Sequence, residues 1–152
     1  LTLIDPVVVS VLRAPGEEAG LAEMEAQFQR LMGAMPDHAA AARVFVEHWS
    51  GAGAWDAIGD RARAVLTGLA PKVGLEMVAT RDDRTVLAEL AAPPVATTVL
   101  VGERTRVAPS ATARLLAGAL RAETVVVPGA GHMIPLTHAA AVVAAVQRGA
   151  GP

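Results

Sequence analysis

Residues Val125 to Met133 are Val-Val-Val-Pro-Gly-Ala-Gly-His-Met, a hydrophobic run followed by a glycine-rich turn and a histidine. Three consecutive β-branched residues predict a buried strand, and Pro-Gly-Ala-Gly predicts the turn that ends it. His132 then lies beyond the carboxyl end of the strand, at the edge where open α/β sheets bind their ligands. Because a neutral imidazole accepts a proton near pH 7, His132 is a candidate catalytic base.

Two further hydrophobic runs are typical of buried strands. With the run just described, the set is Leu1 to Ile4, Val95 to Val101 and Thr124 to Val127. Helical patterns at 111–120 and 137–148 follow the last two strands, and this alternation predicts an α/β fold with about three parallel strands. The β-branched run Val7 to Leu12 could extend the first strand beyond the turn at Asp5 and Pro6.

Between the first and second strands the hydrophobic period changes to that of a helix. The predicted helices are 17–35, 37–49, a third that carries Trp55, Ile58, Val65, Leu66 and Leu69 on one side, a piece at 72–78 and another at 81–90. Pro36 and the segment Ser50-Gly51-Ala52-Gly53 predict breaks between them. The chain thus divides into a core strand at 1–14, an inserted helical block at 15–92 and a βαβα portion at 93–152.

Composition excludes several classes of function. The 152 residues are 53% hydrophobic, which is enough for a core, and the formal net charge of −2 argues against a nucleic-acid partner. The chain has no cysteine, and His38, His48 and His138 lack metal-ligand spacing, so we expect no metal or other cofactor. Charged residues, Pro and Gly interrupt every apolar stretch before the roughly 18 residues of a membrane span. We therefore expect no membrane contact and a cytoplasmic location.

The order of strand, helical insertion, Val-Leu-Val-Gly-Glu-Arg, helix and Val-Val-Val-Pro-Gly-Ala-Gly-His-Met resembles the carboxyl-terminal half of an α/β-hydrolase. The motif Pro-Gly-Ala-Gly-His-Met, with Pro-Leu-Thr-His after it, is the most specific part of this resemblance. The resemblance implies that the three strands correspond to the sixth, seventh and eighth of a sheet of about eight. It also implies that residues 15–92 are the cap and that His132 is the catalytic histidine.

The nucleophile of that family lies in a Gly-x-Ser-x-Gly elbow, which has no match in this sequence. Ser10, Ser50 and Ser110 all lack the flanking glycines. The resemblance therefore implies that an amino-terminal half of the same fold, or a partner chain, supplies the nucleophile and the oxyanion-binding amides. Whether that nucleophile is a serine or an aspartate stays open.

The acid that orients the histidine also departs from the usual pattern. Many members of the family carry it just after the seventh strand, as Gly-x-x-Asp, but here the corresponding segment is Gly102-Glu103-Arg104-Thr105. Some members, the haloalkane dehalogenases among them, carry the acid after the sixth strand, which in this chain is Asp5. The resemblance therefore implies Asp5 as the orienting acid, with Glu103 as the alternative.

The resemblance implies a hydrolase that acts through a covalent intermediate on a small, apolar, ester-like substrate. Trp49, Trp55 and Met133 are candidates for the lining of the substrate pocket, although the two tryptophans also suit the core of a small helical unit. The alternative function is a non-catalytic binding or assembly module in which the histidine segment persists as architecture and Thr105 marks a lost activity.

Overall fold

The structure is a computed structural model that describes residues 1–90 and 95–149. The chain divides into two compact units, one formed by Leu1–Leu21 with Arg84–Pro152 and the other by Ala22–Asp83. The second unit falls within the helical block predicted at 15–92. The predicted boundary between residues 92 and 93 lies outside the described residues.

The first unit contains a three-stranded parallel sheet in the order β1-β2-β3. The strands are β1 (Thr2–Ile4), β2 (Thr98–Gly102) and β3 (Glu123–Val127). In the register, Ile4 lies beside Leu100, and Leu100 lies beside Val125. The predicted α/β class with three parallel strands is confirmed. The second strand begins three residues later than the predicted start at Val95.

Helices and one short 3-10 helix complete this unit. They are the 3-10 helix Val9–Arg13, α5 (Leu87–Leu90), α6 (Val107–Leu120), α7 (Ile134–Thr137) and α8 (Ala139–Gly149). The core cluster formed by Leu100, Val127, Ala130, Ile134 and Ala145 is almost completely buried. Because this cluster contains residues of β2, β3, α8 and the segment after β3, burial of apolar surface fixes that segment against the sheet.

The second unit consists of helices. Its elements are most of α1 (Glu18–Ala34), and all of α2 (His38–Ser50), α3 (Ala54–Ala57) and α4 (Asp60–Asp82). Asp37 caps α2, since its Oδ1 accepts the backbone N–H groups of Ala39 and Ala40, each at 3.0 Å. Trp55 packs with Ala41, Ala42 and Ala70 in the core of this unit.

The prediction that Val7 to Leu12 extends the first strand is wrong. After the turn at Asp5 and Pro6, residues Val9–Arg13 form a 3-10 helix instead. Its residues Val9 to Leu12 are all buried. Four consecutive buried positions suit a helical turn wrapped by core better than an edge strand with alternating faces, so tertiary burial overrides β propensity.

The predicted breaks in the helical block also need correction. The third predicted helix is two helices, since Ile58 is extended and α4 begins at Asp60. The expected break before 72–78 is absent because α4 continues through Pro71, with buried Ala70 and Met77 on either side of it. Packing of this face offsets the hydrogen bond that proline removes. The helix predicted at 81–90 is reduced to α5.

Two boundaries in the carboxyl-terminal portion also differ from the prediction. Helix α6 begins at Val107, so that Pro109 lies in its first turn, where its missing N–H is tolerated. The helix predicted at 137–148 corresponds to α8, which begins at Ala139, two residues later than predicted. His138 separates it from the short helix α7. Within the described residues, no helix combines the length and the apolar character that crossing a membrane requires.

Candidate active site

The three parallel strands end at one edge of the sheet, which brings together residues that are distant in sequence. Asp5 directly follows β1, and Gly102 is the last residue of β2. The segment Pro128 to Met133, called the histidine loop below, follows β3. The carboxyl edge of the sheet therefore carries both of the groups that the sequence predicts as catalytic.

Asp5 leaves the strand in an uncommon backbone conformation. Its φ is +42°, in the left-handed region that Asp adopts more readily than most residues other than glycine. Its N–H donates to the carbonyl of Leu100 at 2.7 Å, so the ladder between β1 and β2 extends to this residue. Asp5 is only 1% exposed. Such a strained residue costs of order 1 kcal/mol, a cost that is common at functional sites.

The buried carboxylate of Asp5 contacts three polar groups. Oδ1 accepts the backbone N–H of Gly102 at 3.1 Å, and Oδ2 accepts the hydroxyl of Thr105 at 2.5 Å. Oδ2 also lies 2.7 Å from Nδ1 of His132, whose side chain is 21% exposed. An ionised carboxylate only accepts hydrogen bonds, and all three partners can donate. The arrangement therefore fits a histidine that carries its proton on Nδ1.

The histidine loop reaches Asp5 by passing over the end of β2, which lies between β1 and β3. Gly102 permits this crossing, since a Cβ there would lie 2.6 Å from the carbonyl oxygen of Ala130 and 2.7 Å from that of Gly131. Ala130 and Ile134, which flank His132, are both completely buried. His132 thus lies between two buried residues, in a loop that crosses the end of β2 at Gly102, which has no side chain.

The geometry agrees with what comparison with known proteins finds. A family model described as the Alpha/beta hydrolase family matches residues 2–146. The chain belongs to the alpha/beta hydrolase family. A search of the curated proteins found no match.

Among solved structures, the chain is similar to MGS-M2, an alpha/beta hydrolase enzyme from a Medee basin deep-sea metagenome library. The TM-score is 0.67 at 15% sequence identity, and the match covers 99% of this chain and 55% of that one. The chain therefore spans about half the length of this structural relative. At this identity the likeness concerns the fold.

Glu103, the alternative acid, contacts the backbone of the histidine loop. Its Oε2 accepts the backbone N–H of Gly129 at 2.8 Å. The neighbouring Arg104 donates to the carbonyl of the same Gly129, through Nε at 2.9 Å and also through Nη2. Of the two acids weighed from the sequence, the structure brings Asp5 to His132 and engages Glu103 with the loop backbone.

The three predicted pocket residues fall in different units of the chain. Met133 is half-buried next to His132 and is the residue before α7. Trp55 is 8% exposed in the core of the helical unit. Trp49 makes edge-to-face contacts with Phe45 and His48. The role of these three residues in lining a substrate pocket stays a prediction.

The helical unit contains an apolar cavity of about 270 Å³ between α1, α2 and α4. Neither Trp49 nor Trp55 lines it. Lys72 and Glu76 line its polar part and form an ion pair with each other. Across residues 1–90 and 95–149, no three His, Asp or Glu side chains cluster as a metal site would.

Sequence reasoning missed the contacts that three residues make at this site: Gly102, Arg104 and Thr105. The sequence singles out Thr105 only as a residue that cannot hold charge, yet its hydroxyl donates to Asp5. A signal for Gly102 did exist, because glycine as the last residue of a β-branched strand often marks a close backbone approach. No local feature of the sequence at residues 102–105 predicts that these residues contact the loop at 128–133.

Proposed function

We propose that this chain supplies the catalytic base, His132, and its orienting acid, Asp5, to a hydrolase that acts through a covalent intermediate. The observation that carries the proposal is the distance of 2.7 Å between Oδ2 of the buried Asp5 and Nδ1 of His132. This pair lies at the carboxyl edge of a parallel sheet, where α/β folds carry out their chemistry.

In the proposed mechanism, the carboxylate of Asp5 keeps the proton of neutral His132 on Nδ1. The lone pair of Nε2 is then the atom that accepts a proton from the nucleophile or from water. As the imidazole becomes positively charged, the buried carboxylate stabilises it across the 2.7 Å contact. The hydrogen bonds from Gly102 and Thr105 hold that carboxylate in place, so the ring does not need to reorganise during the reaction.

The nucleophile in this proposal comes from polypeptide outside these residues, either another part of the same fold or a partner chain. Its support is that the sequence contains no Gly-x-Ser-x-Gly elbow. With a serine, His132 takes the hydroxyl proton as the oxygen attacks the ester carbonyl, and then protonates the departing alcohol. With an aspartate, the carboxylate attacks the ester carbonyl and expels the alkoxide, which takes a proton from water, so that a mixed acyl anhydride forms on the enzyme. His132 instead activates the water that hydrolyses this anhydride.

The proposed substrate is a small, apolar, ester-like molecule. Met133 supports this choice, because an apolar, half-buried side chain follows the histidine directly. Trp49 and Trp55, the other two proposed lining residues, belong to the helical unit, which we propose as the cap. A chain-length series of substrates tests these assignments together.

The decisive experiment measures the hydrolysis of p-nitrophenyl esters, from acetate to octanoate, by the full-length protein. Asp5→Asn is expected to lower kcat/KM about 10⁴-fold, because the amide favours the wrong tautomer of His132. His132→Gln is expected to lower it by about 10⁴-fold or more. His138→Gln removes an imidazole outside the pair and is expected to leave kcat/KM unchanged.

The same variants distinguish the two nucleophiles. If His132 activates water, His132→Gln forms the acyl-enzyme but cannot release it, so mass spectrometry detects the intact protein with an added acyl group. If His132 activates a serine, that variant does not accumulate the adduct, and the wild type shows a burst of p-nitrophenol. Full activity in Asp5→Asn and His132→Gln would contradict the proposed mechanism. Absence of hydrolysis by the wild type across the series would favour the non-catalytic module.

A further inference from the structure

Both backbone polar groups of Gly129 are held by side chains from the end of the neighbouring strand. Glu103 accepts the N–H of Gly129 at 2.8 Å, and Arg104 donates to its carbonyl through Nε at 2.9 Å and through Nη2. The main chain adds two bonds, from Glu103 N–H to the carbonyl of Val127 at 3.1 Å and from Arg104 N–H to that of Ala130 at 2.8 Å.

These contacts act on a segment that has no regular structure of its own. Gly129 has a φ of +70°, a conformation that leaves its peptide groups outside any helix or strand ladder. His132 follows three residues later, so a shift of this peptide moves the imidazole relative to Asp5. A chain segment that crosses a strand end needs such external partners, because it lacks a repeating set of internal hydrogen bonds.

We infer that Glu103 and Arg104 are positioning residues that act on His132 through the Gly129 peptide, and we call their two side chains the Gly129 clamp. The inference rests on the proposed function, because only a catalytic histidine needs its ring held to a fraction of an ångström. Neither side chain touches His132 in the contacts given above. Their effect on turnover is transmitted by the loop.

The chemistry of the clamp separates a geometric role from an electrostatic one. Glutamine at position 103 keeps an oxygen that can accept the N–H of Gly129 but removes the charge, whereas alanine removes the acceptor altogether. If the clamp acts by geometry, the neutral acceptor therefore suffices. An effect of negative charge near the imidazole would instead appear in both Glu103→Gln and Glu103→Ala.

The test measures kcat and KM for ester hydrolysis by the complete protein and by the variants Glu103→Ala, Glu103→Gln and Arg104→Ala. We expect Glu103→Ala and Arg104→Ala to lower kcat by about 10-fold or more with little change in KM, because a misplaced base affects the transition state rather than binding. Glu103→Gln is expected to stay within about 2-fold of wild type.

Matched controls remove exposed charges elsewhere in the same unit. Glu123→Ala, at the start of β3, and Arg148→Ala, in the last turn of α8, are both expected to leave kcat and the melting temperature unchanged. A substrate-independent measurement follows the amide of Gly129 by hydrogen exchange. Its exchange is expected to accelerate about 10-fold or more in Glu103→Ala and to stay slow in Glu103→Gln.

Wild-type kcat in Glu103→Ala and Arg104→Ala would overturn the clamp, provided that Asp5→Asn and His132→Gln are inactive. Equal losses in Glu103→Gln and Glu103→Ala would also overturn it, because charge rather than geometry would then be responsible. If Asp5→Asn and His132→Gln keep full activity, the proposed function fails and the clamp fails with it. Rescue of kcat and of slow exchange by Glu103→Gln alone is the supporting result.

Discussion

Substitution of Gly102 by alanine is expected to damage the site without altering any group that takes part in the chemistry. The added Cβ would lie 2.6 Å from the carbonyl oxygen of Ala130, whereas ordinary contact begins at 3.4 Å. The histidine loop must therefore retreat by about 0.8 Å. Both neighbours are backbone atoms, and the buried Ala130 and Ile134 prevent the loop from adjusting freely.

Two measurable losses follow from that displacement. A base displaced by about 1 Å can cost about 10²-fold in rate, so we expect Gly102→Ala to lower kcat/KM by about 10- to 100-fold. Overpacking of this kind costs about 1–3 kcal/mol of stability, which lowers the melting temperature by roughly 2–12 °C in a chain of this size. Ester hydrolysis and thermal denaturation followed by circular dichroism measure the two effects.

Gly118 provides the matched control. It lies inside α6, and a Cβ there meets nothing within 4 Å. Gly118→Ala is expected to raise stability by about 0.5–1 kcal/mol and to leave kcat/KM unchanged, since alanine loses less backbone entropy in a helix. Wild-type activity and melting temperature in Gly102→Ala would refute the argument that the crossing requires glycine. Equal losses of activity and melting temperature in Gly102→Ala and Gly118→Ala would show that the effect is not specific to position 102.

Thr105→Val removes a donor to the buried Asp5, so we expect a loss of about 1–3 kcal/mol in urea unfolding and a lower kcat, both spared in Thr105→Ser. The double variant Asp5→Asn with Thr105→Asp moves the carboxylate across a 2.5 Å contact, and recovery of at least about 10-fold of the kcat/KM lost in Asp5→Asn is expected. The backbone N–H groups of Glu18 and Gly16 lower the pKa of the Glu18 carboxyl. This stabilisation is present above the ordinary pKa and is lost as pH falls through the folded one, so Glu18→Gln is expected to lower the melting temperature at pH 7 but not at about pH 2.

Much of the first unit could be predicted because its signals are local. The β-branched run before His132 and the Pro-Gly turn after it specify a strand and its end without any tertiary information. The same local logic failed for Val9 to Leu12, where four buried neighbours outweigh β propensity. It failed again at Pro71, because packing on both sides of the proline keeps α4 continuous.

The site itself was predictable only in part, for a physical reason. Pairing Asp5 with His132 required the positions of strand ends, which the order of strands along the sheet supplies. The contacts of Gly102 and Glu103 depend instead on how the histidine loop crosses β2, and that path is fixed by core residues such as Ala130 and Ile134. Sequence distance hides this dependence, since residues 102 and 130 belong to separate strand-helix units.

The position of the proposed acid directly after β1 accounts for the residues found at the end of β2. A carboxylate at residue 105 would make the end of β2 part of the catalytic pair. With Asp5 in the proposed role, the end of β2 serves both partners instead. Gly102 and Thr105 donate to Asp5, while Glu103 and Arg104 bind the loop that carries His132. Thr105 is therefore better explained as a donor that a relocated acid requires than as the trace of a lost activity. One change in the site, a proposed acid at residue 5 instead of residue 105, thus accounts for both the aspartate after β1 and the threonine after β2.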